Sequence, residues 1–368
     1  MTKPIKILHT EWSDGWGGQE IRILAESLAF IEKGYSVTIA AQPDSQLIKR
    51  AQAANVPVLS VKMNKGLNLT AIVKLLSFIK KESIDIVHTH SSVDSRTGGI
   101  AGKLAGIRVV RSRHISIPVS KSKLTWFQYM VLADRLITSG EFIREVLIKE
   151  NQMLPERIVS APAGVDEGRF TPDGPHSLGR EALGLKNENF VVGMVSVLRS
   201  WKGHEFVIKA IPSLIKKIPN IHLLIVGSGP VKEDILNLIE KLSLKEYVTL
   251  TGHQVDPVPF YREMDVVILP SYAGEATSQT LPQAMLMKKP VISTNIGGLA
   301  EVVIDGKTGV VVQPKDSDSI DKAIFSIFSD EDLKEQLSNN GREHALKHFT
   351  FHQMIGTTEG VYLDLLKC

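Results

Sequence analysis

Two α/β domains, each a doubly wound parallel sheet, are predicted by three observations. The chain has 368 residues, more than one hydrophobic core usually serves. Short apolar runs alternate with helical stretches through both halves, the pattern of parallel βαβ units. Between the halves, Phe170-Thr171-Pro172-Asp173-Gly174-Pro175-His176 concentrates Pro and Gly where periodicity vanishes, and marks the linker. The expected domains are therefore 1–172 and 173–350, facing each other across a cleft, with 351–368 as one further amphipathic helix.

In the first half, strands are expected at 5–9, 37–40, 56–59, 84–88, 109–110 and 136–138. The second half repeats the pattern at 191–195, 222–226, 248–250, 266–269, 291–293 and 310–312. These runs are apolar on both faces, as strands covered by helices on each side must be. From Asp316 to His348 the pattern turns helical. Asp316-Ser317-Asp318, just before it, reads as an N-terminal cap with favourable charge rather than as a metal-binding carboxylate pair.

Hydrophobic content of 43% and charged content of 23% are ordinary for a soluble globular chain. No run approaches a membrane span, and Met1-Thr2-Lys3-Pro4 leads into a strand without a signal-peptide core, so a cytoplasmic location is expected. The single Cys368 excludes an intramolecular disulfide and a cysteine-based zinc cluster. The net charge of +3 hides an asymmetry. Residues 1–180 hold 24 Lys+Arg against 17 Asp+Glu, and the remainder 19 against 23. A basic half suggests an anionic partner, a membrane surface or a phosphorylated acceptor, beside the plainer reading of solubilising charge. Lys121-Ser122-Lys123-Leu124-Thr125-Trp126-Phe127 sets basic residues beside aromatics, as an interfacial helix does and, more often, a half-buried helix of a domain. Nucleic acid is not expected, because no basic run is interleaved with aromatics in a known binding module.

The candidate chemistry lies in turns after strands, where open parallel sheets gather their ligands. Gly274-Glu275-Ala276-Thr277-Ser278-Gln279-Thr280-Leu281-Pro282-Gln283 follows strand 266–269 and places a carboxylate eight residues before an amide at a helix start. Val197-Leu198-Arg199-Ser200-Trp201-Lys202-Gly203 offers two cations after strand 191–195, suited to a diphosphate, with Trp201 as packing. Gly15-Trp16-Gly17-Gly18-Gln19-Glu20 opens the first helix, where glycines let backbone approach a ligand and first-turn amides receive phosphate oxygens. Gly227-Ser228-Gly229-Pro230 reads either as a wall of the nucleotide pocket or as a structural turn opening a helix. His88-Thr89-His90 and His114 sit at strand ends. Two histidines spaced by two need more ligands for a metal than the sequence supplies, so hydrogen bonding is expected, for His114 to a sugar or phosphate.

Taken together, Gly17-Gly18, Gly164-Val165-Asp166 with Arg169-Phe170, Lys202-Gly203, Gly227-Ser228-Gly229-Pro230, Glu275, Ala284-Met285 and Gly297-Gly298-Leu299-Ala300-Glu301 resemble family 4 of the retaining, nucleotide-sugar-dependent glycosyltransferases. The resemblance spans nearly the whole chain and is most specific from Ser271 to Glu301. It implies the GT-B architecture, two Rossmann-like domains with acceptor held mainly by the first and donor by the second, and a terminal helix crossing back to the first. It also implies roles. Glu275 contacts the donor sugar, Lys202 the donor diphosphate, with Arg199 beside it. Gly17 and Gly18 approach that diphosphate, Gly227 and Gly229 line the pocket, and Thr280 and Leu281 belong to the donor-binding helix start. His114 lies near the sugar and the reacting bond. No divalent metal and no other cofactor is implied, because Lys202, Arg199 and backbone amides compensate the leaving-group charge.

Two positions depart from the family pattern. Gln283 stands where a second Glu normally receives the ribose hydroxyls, and Val197 where an Arg is usual. A glutamine carbonyl still accepts one hydroxyl, so a loss of roughly 0.5–1.5 kcal/mol in donor binding is expected. The expected activity is transfer of a sugar from a UDP- or GDP-sugar to a glycan or lipid-linked saccharide, as in lipopolysaccharide or other cell-surface polysaccharide biosynthesis, by a cytoplasmic enzyme peripheral to the inner membrane face. Two alternatives stand beside it: a catalytically silent glycosyltransferase-like subunit, and a GT-B sugar-nucleotide epimerase.

Overall fold

The computed structural model describes residues 4–115, 119–174 and 178–367. Met1-Thr2-Lys3, Pro175 and His176 of the expected linker, and Cys368 lie outside the described residues. The chain forms two compact units: unit 1 comprises Met1–Pro162 and Met354–Cys368, and unit 2 comprises Ala163–Gln353.

In unit 1, strands β1 (Lys6–Glu11), β2 (Ser36–Ala41), β3 (Val58–Ser60), β4 (Ile86–Thr89), β5 (Arg108–Arg113), β6 (Arg135–Thr138) and β7 (Ile158–Ser160) alternate with helices α1 (Gly18–Glu32), α2 (Gln46–Ala53), α3 (Leu69–Glu82), α4 (Ser92–Ala105), α5 (Lys123–Trp126) and α6 (Glu141–Lys149). The sheet is wholly parallel, in the order β3-β2-β1-β4-β5-β6-β7. In unit 2, β8 (Phe190–Val195), β9 (Ile221–Val226), β10 (Val248–Leu250), β11 (Val266–Leu269), β12 (Val291–Ser293) and β13 (Val310–Val311) alternate with α7 (His204–Lys217), α8 (Lys232–Lys241), α9 (Val258–Glu263), α10 (Thr280–Leu286), α11 (Leu299–Val302), α12 (Ser317–Ser329) and α13 (Glu331–His348). Its parallel sheet runs β10-β9-β8-β11-β12-β13.

Both sheets therefore reverse winding direction once, between β1 and β4 in unit 1 and between β8 and β11 in unit 2. At such a reversal the two following loops diverge to opposite faces and leave a crevice beyond the strand ends. Core packing explains the strand composition: in unit 2, Val192, Met194, Leu223, Ile225, Val266 and Ile268 bury one face of the sheet, and Val191, Leu224, Val267 and Leu269 the other.

Three expectations are revised by the structure. The boundary falls at Pro162/Ala163 rather than near 172. Val165 donates its N–H to Phe349 O at 2.8 Å and accepts from Phe351 N at 2.8 Å, while Phe170 packs edge-on against Tyr261. The Pro/Gly cluster punctuates a loop already tied into unit 2, through Arg262 bonds to the Thr171 and Pro172 carbonyls. Next, α8 starts at Lys232, so Pro230 precedes it instead of occupying its first turn. Finally, β1 runs on past His9 through Thr10 and Glu11, all three buried. Asp316 caps α12 by accepting from the Asp318 and Ser319 N–H groups, as its position before a helical run predicts.

The final helix, α14 (Phe351–Lys367), begins within unit 2 and continues into unit 1 from Met354. There it buries Ile355, Val361, Tyr362 and Leu365. Tyr362 OH meets His88 Nδ1 at 2.6 Å, and Arg108 Nε donates to Leu365 O at 3.1 Å.

Candidate functional site

In unit 2, the chain leaving β8 turns through a single 3-10 turn, Ser200–Lys202, before α7. The chain leaving β11 forms the loop 270–279 before α10. A backbone bond from Tyr272 N to Trp201 O, 2.9 Å, ties these two loops together. Lys202 Nζ thereby meets Glu275 Oε1 at 2.6 Å. Ser271 Oγ donates to the same carboxylate oxygen at 2.7 Å. The side chains are 18% and 6% exposed, so the pair is partly withdrawn from water and its attraction only weakly screened.

Glycine makes this placement feasible. A β-carbon on Gly297, whose φ is +57°, would collide with the Glu275 carbonyl oxygen, and Gly298 N donates to that oxygen at 3.3 Å. The lead into α11 thus presses directly on the Glu275 backbone. Gly227 and Gly229 serve a similar purpose: a β-carbon on either would strike the backbone of Ser196 or Leu198. Their immediate role is close packing against the loop that delivers Lys202.

The remaining predicted donor residues fall as follows. Arg199 is exposed, with its guanidinium 5.0 Å from the Trp201 ring centroid; of the two cations, Lys202 is the one paired with Glu275. Thr280 Oγ1 donates to Val195 O at 2.9 Å and fixes α10 to the end of β8. Leu281 is fully buried, so beyond packing it has only its backbone to offer a ligand. Val197 is exposed.

Gln283 has a partner, Tyr261, that lies 22 residues away and is not legible from local pattern. Its Oε1 lies 3.0 Å from Tyr261 OH, which also lies 3.1 Å from Thr280 O. A hydroxyl carries one proton, and burial holds the Tyr261 phenol well above its ordinary pKa, so that proton stays. The carbonyl of Thr280 can only accept. Gln283 Oε1 likewise accepts, so the single Tyr261 proton is shared between the two carbonyl oxygens. A carbonyl oxygen has two lone pairs, and Gln283 Oε1 keeps one for a further donor. Ser271 and Tyr261 were missed because each reaches its partner through the fold.

In unit 1, the loop between β1 and α1 is held by two carboxylates. Glu11 accepts from Trp12 N and Ser13 N at 2.7 Å each, and from the Gln19 side chain. Burial, with Asp94 nearby, pushes the Glu11 carboxyl up to about 8. Glu20 accepts from Gly17 N at 2.8 Å, while a β-carbon on Gly18 would meet only open space. His114, just beyond β5, is half-buried and its Nε2 meets His90 Nδ1 at 3.1 Å, while His90 Nε2 meets His9 Nδ1 at 2.9 Å. Burial, then the Arg22 and Arg113 guanidiniums, hold His114 well below its usual pKa, so it is a neutral hydrogen-bonding group.

Among the described residues, His9, His88 and His90 form a group whose ligand atoms lie within 4.8 Å of one another. Five of their six ring nitrogens are already engaged: His9 Nδ1 with His90 Nε2, His90 Nδ1 with His114, and both nitrogens of His88 with Tyr362 and Ser112, while His9 Nε2 is buried without a hydrogen-bond partner. Metal bonds of about 2.0–2.1 Å would require those contacts to break and the rings to converge. The donor set suits a buried hydrogen-bond chain better.

Comparison with known proteins agrees with this architecture. Residues 178–344 match the family described as glycosyl transferases group 1, and residues 16–169 match glycosyltransferase family 4. The chain is 29% identical over 324 residues to an Escherichia coli UDP-Gal:α-D-GlcNAc-diphosphoundecaprenol α-1,3-galactosyltransferase, covering 84% of this chain and 83% of that one. It is 25% identical over 369 residues to the capsular polysaccharide biosynthesis glycosyltransferase CapM of Staphylococcus aureus, covering 95% of each. Among solved structures, a Rickettsia africae glycosyltransferase superposes with a TM-score of 0.89 at 22% identity, covering 99% of both chains. Anabaena HepE in complex with UDP superposes at 0.83 with 21% identity, covering 99% of this chain and 100% of that one. With both halves matched and the GT-B fold shared, the chain belongs to glycosyltransferase family 4 and is a glycosyltransferase.

Proposed function

We propose that this glycosyltransferase moves a sugar, with retention of configuration, from a UDP- or GDP-sugar to a lipid-linked saccharide or other growing glycan in cell-surface polysaccharide assembly. The observation that carries this reading is the Lys202–Glu275 pair at the winding reversal of unit 2. A diphosphate donor needs a cation at one end and an acceptor of sugar hydroxyl protons at the other. In the structure these two groups pair with each other. On binding, Lys202 exchanges the carboxylate for the diphosphate, and Glu275, still held by Ser271, turns its lone pairs to the sugar. Solved complexes of Anabaena HepE with UDP-glucose support a UDP-sugar, and the relatives named for capsular and undecaprenol-linked substrates support the acceptor class.

In this reading a cation and backbone amides carry the leaving-group charge without a divalent metal, and the departing phosphate takes the acceptor proton. His114, being neutral, offers a hydrogen bond to a sugar oxygen rather than a counter-charge. Gly17 and Gly18 leave room for the diphosphate. Exposed Leu124, Trp126 and Phe127 beside Lys121 and Lys123 support contact with the inner membrane face. No helix among the described residues is long and apolar enough to cross a membrane.

A thermal-shift screen of nucleoside diphosphates and sugar nucleotides tests the donor class. One base should give a clear, selective rise that is lost in Lys202→Ala; no rise with any of them removes the reading. Purified protein should hydrolyse that donor slowly, and Glu275→Ala should not. Gln283→Glu should tighten nucleotide binding roughly two- to tenfold, because a second acceptor oxygen restores about one hydrogen bond. An unchanged dissociation constant by calorimetry would show that position 283 does not touch the ribose.

A further inference from the structure

Three imidazoles stand in a row through unit 1, from His9 on β1, past His90 just beyond β4, to His114 just beyond β5. His9 Nδ1 meets His90 Nε2 at 2.9 Å, and His90 Nδ1 meets His114 Nε2 at 3.1 Å. The ring planes of the two pairs differ by only 18° and 19°, and the ring centroids are 5.2 Å and 5.4 Å apart. In each pair the centroids are farther apart than the bonded nitrogens by about the width of one ring, the largest separation such a contact allows. The rings therefore lie end to end rather than face to face, and each contact runs along the in-plane direction of an N–H and a lone pair. His88 packs beside the row, its centroid 4.3 Å from that of His90, but both its nitrogens are engaged with Tyr362 and Ser112, so it is not a branch of the row.

Neutral rings make this arrangement all-or-none. Burial lowers His9 to about 3 and holds His90 and His114 well below their usual pKa. A neutral imidazole carries one N–H and one lone pair, so His90 must donate at one nitrogen and accept at the other. Two patterns satisfy both contacts: all three protons on Nδ1, or all three on Nε2. Changing one ring alone would set N–H against N–H, or lone pair against lone pair. His9 and His90 are buried, where an unmade bond costs the desolvation of its groups, and bonded rings polarise one another in the same sense.

We propose that His9 and His90 are positioning residues that lock His114 in a single tautomer, so that its remaining nitrogen, Nδ1, meets a sugar oxygen with one fixed hydrogen-bonding sense. A histidine in water interchanges its two neutral tautomers, and would face that oxygen as donor part of the time and as acceptor the rest. Here the sense is set two rings away, at His9, whose Nε2 is buried without a partner and ends the row. The inference rests on the proposed contact of His114 with the donor sugar for its purpose, but the tautomers are read without substrate.

The test is a long-range proton–nitrogen NMR spectrum of the full chain with isotope-labelled histidine, in which the protonated and bare ring nitrogens resonate far apart. His9, His90 and His114 should each show one tautomer, the same in all three. His9→Leu should leave His114 as a mixture of both forms, and His9→Asn, whose amide donates or accepts in place of Nδ1, should restore the single form. Donor hydrolysis by His9→Leu should fall about two- to tenfold, the worth of one hydrogen bond. Nucleoside diphosphate affinity should stay native in that variant, because the proposed diphosphate contact, Lys202, lies in unit 2. His9→Asn should recover the rate. Mixed tautomers in the native chain, different tautomers within the row, or an unaltered His114 in His9→Leu would each overturn the proposal. The native spectrum decides the first two even if His9→Leu does not fold. A row that His9→Leu unlocks without slowing hydrolysis would uphold the lock and strike instead at the sugar contact.

Discussion

Replacing Lys202 by alanine lowers turnover about a hundredfold or more, the scale on which a single preorganised charge at a leaving group is felt. The same change leaves Glu275, 6% exposed, with Ser271 as its remaining partner. Removing one member of a buried pair costs about 3–5 kcal/mol, so the single variant is also less stable. Glu275→Gln separates the two effects. With the carboxylate gone, Lys202 is no longer held at 2.6 Å and is available to a diphosphate from the start. Nucleoside diphosphate binding should be as tight or tighter in Glu275→Gln while transfer is lost. The double variant should regain stability without regaining turnover. If Glu275→Gln weakens diphosphate binding as much as Lys202→Ala does, the exchange of partners proposed for donor entry is wrong.

A second large effect is acid sensitivity. Burial lowers His9 to about 3, and burial followed by the Lys202 charge lowers His204 to about 4; burial also lowers His222 to about 4. His88, His90 and His114 are held well below 6.5, again mainly by burial. Between these folded values and 6.5 the unfolded chain binds protons that the native state refuses. Their contribution is thus whole above 6.5 and is lost as pH falls through that window. At about 1.4 kcal/mol per unit, His9 alone is worth on the order of several kcal/mol, against a typical total of about 5–15. Glu11 acts oppositely: raised from 4.5 to about 8, it binds its proton more tightly when folded, so stability declines as pH rises across that span. Six histidines outweigh it below 6.5, and Glu11 prevails above. Urea midpoints should peak near pH 6.5 and fall steeply toward about pH 4, with proton uptake on unfolding. A midpoint that does not change between about pH 7 and pH 5 would contradict the burial of these rings.

Much of the frame was legible because burial on both faces makes parallel strands nearly continuous apolar runs; β9 and β11 are of this kind. The strand β7 was not, since Ile158 and Val159 between Arg157 and Ser160 carry too short a signal. The polar end of β1 escaped for another reason: Thr10 and Glu11 are buried by hydrogen bonds rather than by hydrophobicity. Glu275 and Lys202 could be singled out by residue type and position after strands, yet their meeting depends on β8 lying beside β11 in the sheet. Local sequence cannot state that adjacency. Tyr261, on α9, and Gln283, on α10, are brought together only by core packing.

Helix α14 supplies unit 1 with Tyr362 against His88, Glu359 against Tyr35, and the buried Ile355, Val361 and Leu365. These residues leave the ribosome only after all of unit 2 has been synthesised. Nascent chains ordinarily mature in the order of translation. Here the later-made half has its own residues in hand first, and the earlier half must wait, incompletely sealed, for a segment translated nearly two hundred positions downstream of Pro162.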